Sequence, residues 1–116
     1  MARIRTIKPS FWSDLAVARL KRDARLLAVG LISFADDQGR FLASPSAVGG
    51  YVFPHDELPA KTIRAWRDEI ANAGLIRLYE VDGMEFGWWP NWKKHQRISH
   101  PQASQLPPPP MREEVA

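Results

Sequence analysis

Asp82-Gly83 stands between two runs of strand-forming residues, LIRLYEV and MEFGWW. This dipeptide favours a two-residue turn in which both residues have positive φ, so the runs predict an antiparallel β-hairpin. Side chains alternate along a strand, and the adjacent tryptophans Trp88 and Trp89 are therefore expected on opposite faces. We expect Trp89 and Trp92 in the core and Trp88 nearer the surface, because tryptophan at a helix–sheet edge usually packs.

Four helices are predicted ahead of the hairpin. Ser13 and Asp23 are suitable N-caps for the first two, and Ser44-Pro45 combines an N-cap with proline at the first helical position. Gly39 and Gly74 suit the left-handed turns that end helices. The predicted spans are 13–20, 23–35, 44–53 and 59–73, with a very short strand at 40–42.

The two longest predicted helices are amphipathic. Apolar residues recur three or four positions apart along each of them, which is the spacing of one helix face. We therefore expect the following six side chains to be largely buried: Leu27, Leu31, Phe34, Ile63, Trp66 and Ile70.

The order of the elements predicts an α+β fold, specifically a winged helix-turn-helix. In that fold the helices at 23–35, 44–53 and 59–73 form a three-helix core, and the hairpin is the wing. A chain of 116 residues is long enough for one such domain without metal or disulfide support. We expect a basic arm at 1–12, the winged-helix domain at 13–100, and a proline-rich tail at 101–116. With four consecutive prolines, this tail is expected to be extended or disordered and to add almost nothing to the fold after residue 105.

Positive charge concentrates at the two ends of the chain. Residues 1–25 hold seven Lys or Arg against two acidic residues, and residues 91–110 hold three against none. Residues 26–60 hold one against four. This distribution indicates an anionic partner that the ends contact, with ordinary solvated surface charge as the alternative.

Several stretches in order resemble the winged-helix module of phage and prophage replication proteins, the replisome organisers and their stand-alone relatives. The stretches are IRTIKPSFW, RDARLLAVGLISFADDQGRF, AGLIRLYEVDG and PNWKKHQRISHPQAS. The resemblance implies double-stranded DNA as the partner and a role in phage replication or its regulation, in the cytoplasm of a bacterial host. Many members of that family have a further C-terminal domain that engages helicase or loader proteins, and nothing comparable follows here, which leaves that part of the role open.

Three basic segments are candidates for DNA contact. A recognition helix places basic or amide side chains of its N-terminal half in the major groove, and basic residues beside aromatics suit phosphate contact. An N-terminal arm can enter the minor groove. The candidate DNA-binding residues are Arg3, Arg5, Lys8, Lys61, Thr62, Arg64, Arg67, Lys93, Lys94, His95 and Arg97.

Two observations favour a different function. The hairpin tip carries Glu80, Asp82 and Glu85, and an acidic tip is a poor probe of the minor groove. The acidic middle of the chain and an exposed aromatic side chain would also suit a module that binds and redirects a host replication or transcription protein.

Enzyme chemistry has little support in the sequence. His55, Asp56 and Glu57 lie in a turn between prolines with no nucleophile nearby, and we expect no catalysis, no metal and no cofactor. The longest apolar run, 26–35, is too short to cross a bilayer, and the N-terminus lacks the apolar segment of a secretory signal. The chain has no cysteine, which suits a reducing compartment.

Overall fold

The computed structural model describes residues 4–110, which form an α+β fold of six helices and one three-stranded antiparallel sheet. The helices are α1 (Ser10–Ser13), α2 (Leu15–Ala18), α3 (Arg22–Phe34), α4 (Pro45–Val52), α5 (Ala60–Asn72) and α6 (Trp92–His95). The strands are β1 (Arg40–Leu42), β2 (Arg77–Val81) and β3 (Met84–Trp88), with β3 between the other two. Helices α3, α4 and α5 pack against one another, and the core between them and the sheet includes Leu27, Ile70 and Phe41.

Local signals in the sequence set most element boundaries. Ser44 caps α4 by accepting a hydrogen bond from the Ala47 amide at 3.2 Å, and Pro45 is the first helical residue, as predicted. Gly39 and Gly74 both have φ of 83°; Gly74 follows the C-cap of α5, whereas α3 ends at Phe34 and Gly39 closes the turn that comes after it. These positions needed no long-range contact to be predicted, since caps and turns depend on neighbouring residues alone.

The β-hairpin is confirmed in position and turn. Asp82 and Gly83 have φ of 53° and 80°, the pair of positive values that a tight hairpin turn requires. Trp89 and Trp92 are only 8% and 5% exposed, and Trp88 is more exposed than either, as expected. The two adjacent indoles therefore lie on opposite faces of the sheet: Trp89 faces the core, and Trp88 lies on the outer face.

The helix predicted at 13–20 is instead two short helices, α1 and α2. They are divided at Asp14, whose backbone is extended and whose carboxylate accepts hydrogen bonds from the Ala16 and Val17 amides. The Ser13 hydroxyl donates to the Ser10 carbonyl and caps nothing. Asp14 is therefore the N-cap, because its carboxylate lies where the amides of the next turn need an acceptor.

Helix α3 begins one residue earlier than predicted. Its N-cap is Lys21, and Asp23 lies in the first turn. The Lys21 amide donates to the Glu69 carboxylate of α5 at 2.7 Å. A partner on another helix thus takes the place of a local cap, and a negative side chain on the first turn still complements the helix dipole.

Four of the six predicted core residues are buried, and two are not. Leu27, Leu31, Ile63 and Ile70 are fully or almost fully buried. Phe34 is 43% exposed and stacks on Tyr51 at 4.9 Å between ring centroids, while Trp66 is half-buried against Phe53. The apolar stripes of the two long helices are wider than the neighbouring elements can cover. On α3, the small residues Ala24 and Ala28 are fully buried instead.

The proline-rich segment up to residue 110 has no helix or strand, but it lies against the sheet. The Tyr79 hydroxyl donates to the Pro107 carbonyl at 2.6 Å, and Arg40 donates to the Leu106 carbonyl at 2.9 Å. The expectation that residues after Gln105 add almost nothing to the fold is therefore corrected for residues 106 and 107. Residues 111–116 of the predicted tail lie outside the described part of the chain.

Substitutions at two glycines, Gly87 and Gly50, test how tightly the sheet packs on the core. A β-carbon at Gly87 would overlap the ring of the fully buried Phe41, whereas one at Gly50 in α4 would meet nothing within 4 Å. We expect Gly87→Ala to lower the free energy of unfolding by about 1–3 kcal/mol through overpacking. Gly50→Ala should leave it unchanged or raise it by up to about 1 kcal/mol through helix propensity. Urea denaturation of both variants measures the difference, and equal effects would contradict this packing.

Candidate nucleic-acid interface

The turn Asp36-Asp37-Gln38-Gly39, here called the acidic turn, follows α3 and receives both ends of the described chain. The Asp36 carboxylate closes it by accepting from the amides of Gln38 and Arg40 at 2.9 and 3.0 Å. Asp37 is buried, with a side chain 5% exposed. Aspartate commonly organises turns through such side-chain-to-backbone bonds, so the sequence predicted the turn but not what binds to it.

Arg5 brings the N-terminal segment to the acidic turn. Its guanidinium is 3% exposed, lies 3.0 Å from the Asp37 carboxylate and donates to the Ala35 carbonyl at 2.7 Å. It also lies over the Trp92 ring, 5.2 Å from the centroid. The sequence predicted Arg5 as part of a flexible arm for DNA, and this is corrected: its charge is buried and neutralised in the fold. Arg3, another predicted contact, lies outside the described residues.

Trp92 brings the C-terminal segment to the same turn. Its indole N–H donates to the Asp37 carbonyl at 3.0 Å. Its ring packs on Gly39 so closely that a β-carbon there would overlap it. Trp92 therefore joins the acidic turn to the buried core, where it was expected.

Two further contacts join the N-terminal segment to the residues around α6. The Gln96 amide forms a pair of hydrogen bonds with the Thr6 backbone, accepting at 3.0 Å and donating at 2.8 Å. Lys8 Nζ donates to the Lys94 carbonyl at 2.9 Å. The two basic ends of the sequence therefore meet in space. Together they form an exposed group, the basic cluster: Lys8, Lys93, Lys94, His95 and Arg97.

The basic cluster has no internal charge compensation in the part of the chain that the structure describes. None of its members forms an ion pair within residues 4–110. Lys93 and Lys94 also lie in the last turn of α6, where positive charge complements the exposed carbonyls. Such a concentration of exposed cations attracts anions, and phosphate is the anion that a nucleic acid presents at high density.

The second candidate surface is the N-terminal half of α5. Lys61 is exposed, and Thr62 is partly buried. Arg64 has a half-exposed side chain that lies 3.7 Å from the Glu85 carboxylate of β3. This geometry leaves Lys61 and Arg64 accessible, as predicted for residues that contact a groove. The Arg64–Glu85 pair reduces the net positive charge of that face.

Arg67 is a buried structural residue, although the sequence predicted it as a DNA contact. Its guanidinium donates to the Ala43 carbonyl at 2.8 Å, to the Glu85 carboxylate at 2.9 Å and to Asp68. It is 6% exposed. Arg67 therefore joins α5 to the β1–α4 junction and to β3, and this correction also gives Glu85 a role that the acidic-tip interpretation missed.

The two exposed surfaces lie about one helix length apart. Leu75 follows the C-terminal end of α5 and lines the same cavity as His95 of the basic cluster. Lys61 stands at the opposite end of this 13-residue helix, which is about 20 Å long at 1.5 Å per residue. The predicted site residues thus form two groups, and one ligand touching both must extend over that distance.

Two tyrosines elsewhere have perturbed ionisation. Burial raises the pKa of Tyr51, and burial together with the nearby Asp36 carboxylate raises the pKa of Tyr79 against an opposing effect of Arg40. Both hydroxyls are protonated at neutral pH, as tyrosines ordinarily are, and can donate hydrogen bonds. Neither tyrosine belongs to the basic cluster or to the exposed face of α5.

No protein-family model matches this chain, and no curated protein or solved structure is significantly similar to it. Within residues 4–110, no helix is both long and apolar enough to cross a bilayer. The same residues bring together no group of three His, Cys, Asp or Glu side chains that could hold a metal ion. The function proposed below therefore depends on the geometry and charge of the chain itself.

Because Arg5 and Asp37 form a buried ion pair, we expect the nearly isosteric substitution Asp37→Asn to lower the stability of the fold substantially. Asp37→Asn keeps the hydrogen-bonding shape of the side chain but removes the charge that balances the buried guanidinium. Because an uncompensated buried charge is strongly destabilising, we expect a loss of about 3 kcal/mol in the free energy of unfolding. The melting temperature should fall by roughly 10 °C.

Asp56→Asn is the matched control for this prediction. Asp56 is exposed, and its substitution should change the free energy of unfolding by less than about 0.5 kcal/mol. Thermal and urea denaturation followed by tryptophan fluorescence compare the two variants. If Asp37→Asn unfolds like Asp56→Asn, the ion pair does not stabilise the fold.

Proposed function

We propose that this chain is a winged helix-turn-helix protein that binds double-stranded DNA and acts in phage replication or its regulation. The observation that carries the DNA-binding part is the basic cluster: two chain ends converge on an exposed group of cations without acidic partners among the described residues. The phage role is drawn from the resemblance of the sequence stretches. The geometry supports the DNA contact.

The arrangement of elements supports a winged helix. The order α3, β1, α4, α5, β2, β3 places a helix-turn-helix pair, α4 and α5, before a hairpin. The strand order β1-β3-β2 lays the hairpin beside β1. In such a fold the second helix of the pair enters the major groove, and α5 offers Lys61 and Arg64 there.

The hairpin contributes little positive charge to this interface. Glu85 is held by Arg67 and Arg64, and the turn at Asp82-Gly83 is short and exposed. In our proposal the basic cluster contacts the DNA backbone, as a long basic hairpin would do. Base reading and phosphate contact are then divided between α5 and the chain ends.

A specific observation favours protein interaction as a second candidate function. Trp12 and Leu15, on consecutive short helices, are 56% and 73% exposed. Exposed large apolar side chains that lie close together often mark a protein contact. Capture of a host replication or transcription protein from lysate, with and without nuclease, distinguishes this function from DNA binding. A partner that survives nuclease and is lost in Trp12→Ala would favour the second function.

The basic cluster predicts a change in the salt dependence of DNA binding. Each neutralised phosphate contributes about −0.9 to the slope of log affinity against log salt on duplex DNA. Replacing Lys93, Lys94 and Arg97 by alanine should therefore flatten this slope by roughly 2–3, whatever the duplex sequence. Fluorescence anisotropy with a labelled duplex at several salt concentrations measures it.

The control removes the same number of exposed cations from the α2–α3 region, with the substitutions Arg19→Ala, Lys21→Ala and Arg22→Ala. This variant should keep the parental slope, because its cations lie outside both candidate surfaces. Equal slopes for the parent and the basic-cluster variant would show that the cluster contacts no phosphate, and protein interaction would then become the better proposal.

A further inference from the structure

The outer face of the sheet carries a row of aromatic side chains. Tyr79 and Phe86 are directly opposite one another on β2 and β3 and stack at 5.7 Å between centroids. Trp88 lies two residues further along the same face, opposite Arg40 of β1. We call this surface, formed by Arg40, Tyr79, Phe86 and Trp88, the outer groove. Phe86 is only 5% exposed although it faces away from the helices, so something covers it.

Within residues 102–110, the segment 106–109 lies against the outer groove, and residues 102 and 104 contact the adjoining acidic turn. Tyr79 and Arg40 donate to the carbonyls of Pro107 and Leu106, at 2.6 and 2.9 Å. Gln38 donates to a third backbone carbonyl, that of Gln102, at 3.4 Å. Pro109 lines one cavity together with Arg40 and Trp88. The groove thus offers hydrogen-bond donors to carbonyls and aromatic surface to proline rings.

This combination of groups matches the chemistry of a polyproline segment. Consecutive prolines favour a helix with no internal hydrogen bonds, so their carbonyls remain available to donors outside the segment. Aromatic grooves with hydrogen-bond donors recognise such segments because the conformation is preformed and little entropy is lost on binding. A tyrosine hydroxyl is protonated at neutral pH and burial raises the pKa of Tyr79 further, so the hydroxyl is available as a donor.

A second set of contacts anchors the start of the segment at the acidic turn. The Gln102 amide donates to the Asp37 carboxylate at 3.0 Å, and the Ser104 hydroxyl donates to Asp36. These two bonds involve an amide and a hydroxyl that any short polar stretch ahead of the prolines can supply. The pattern that the surface accepts is therefore a polar stretch with a serine, followed by an apolar residue and prolines.

We propose that the outer groove is a binding site for proline-rich segments, with the chain's own residues 102–110 as its resident ligand and a proline-rich segment of a partner protein as its exchangeable one. This inference is independent of DNA binding. Residues 102–110 belong to no helix or strand, so their departure breaks no element of secondary structure. The contacts to residues 106 and 107 are made to backbone carbonyls, which a partner segment presents equally well.

A partner segment must compete with residues 102–110, which are covalently joined to the protein that carries the site. A segment joined to its site by a short linker has an effective concentration in the millimolar range, so a separate peptide competes only at similar concentrations. A full-length variant with Pro107→Gly, Pro108→Gly and Pro109→Gly keeps the tether but weakens the resident ligand. This variant should bind an added peptide at least about tenfold more tightly than the parent does.

The experiment titrates full-length protein with a synthetic peptide of residues 101–110 and follows the indole N–H signals by NMR. We expect a saturable shift of the Trp88 signal in the triple-glycine variant, and a smaller shift in the parent at about 10 mM peptide. A peptide with glycine in place of its prolines should give no shift. Tyr79→Phe in the triple-glycine background should weaken binding about fivefold, since it removes one hydrogen bond.

Two results would overturn the proposal. One is an unchanged Trp88 signal in a triple-glycine variant whose spectrum shows that it is folded. The other is equal binding of the proline and glycine peptides, which would mean that the groove does not recognise proline. If the triple-glycine variant does not fold, the parent titration decides, and the absence of a Trp88 shift at 10 mM peptide rejects the site.

Discussion

The buried ion pair between Arg5 and Asp37 is the contact on which the arrangement of the chain ends depends. Moving two charges out of water is expensive, and it is tolerated only when the partners lie close and their remaining hydrogen bonds are satisfied. The two terminal nitrogens of Arg5 meet this condition by donating to Asp37 and to the Ala35 carbonyl, and the guanidinium lies over the Trp92 ring, whereas its buried Nε has no hydrogen-bond partner among the described residues. The pair lies within a turn that also accepts a hydrogen bond from Gln102, so one short acidic loop holds both ends of the described chain.

A second buried guanidinium joins α5 to the sheet in a similar way. Arg67 links α5 to the Ala43 carbonyl and to Glu85 on β3, so one side chain joins the helix to the hairpin. Arg5 and Arg67 together show that cations counted from a sequence are not all surface charge. Once they are removed from the candidate DNA contacts, the accessible candidates that the structure describes are the basic cluster and the residues at the start of α5.

The elements that could be predicted from the sequence are those governed by neighbouring residues. The Asp82-Gly83 turn, the Ser44-Pro45 helix start and the helix end at Gly74 each depend on a conformational preference of one or two residues. The burial of Trp89 and Trp92 also followed from strand alternation and the usual packing of indoles.

What could not be predicted depends on contacts between distant positions. Arg5 and Asp37 are 32 residues apart, and Tyr79 and Pro107 are 28 apart. No periodicity or spacing in the sequence indicates such pairs, because residue type alone does not distinguish an arginine that is buried from one that is free to bind phosphate. Gly39 indicated a turn in the sequence, but nothing local showed that the chain ends would bind to Asp36 and Asp37.

We infer that the acidic turn holds the two basic ends together as one surface, and the distance between those ends can be measured. The chain has no cysteine, so single cysteines at positions 8 and 94 can carry spin labels without background. Pulsed electron resonance should give one narrow distance distribution, shorter than the roughly 20 Å length of α5, and Asp37→Asn should broaden it. A broad distribution in the parent protein, or one that Asp37→Asn leaves unchanged, would contradict the account.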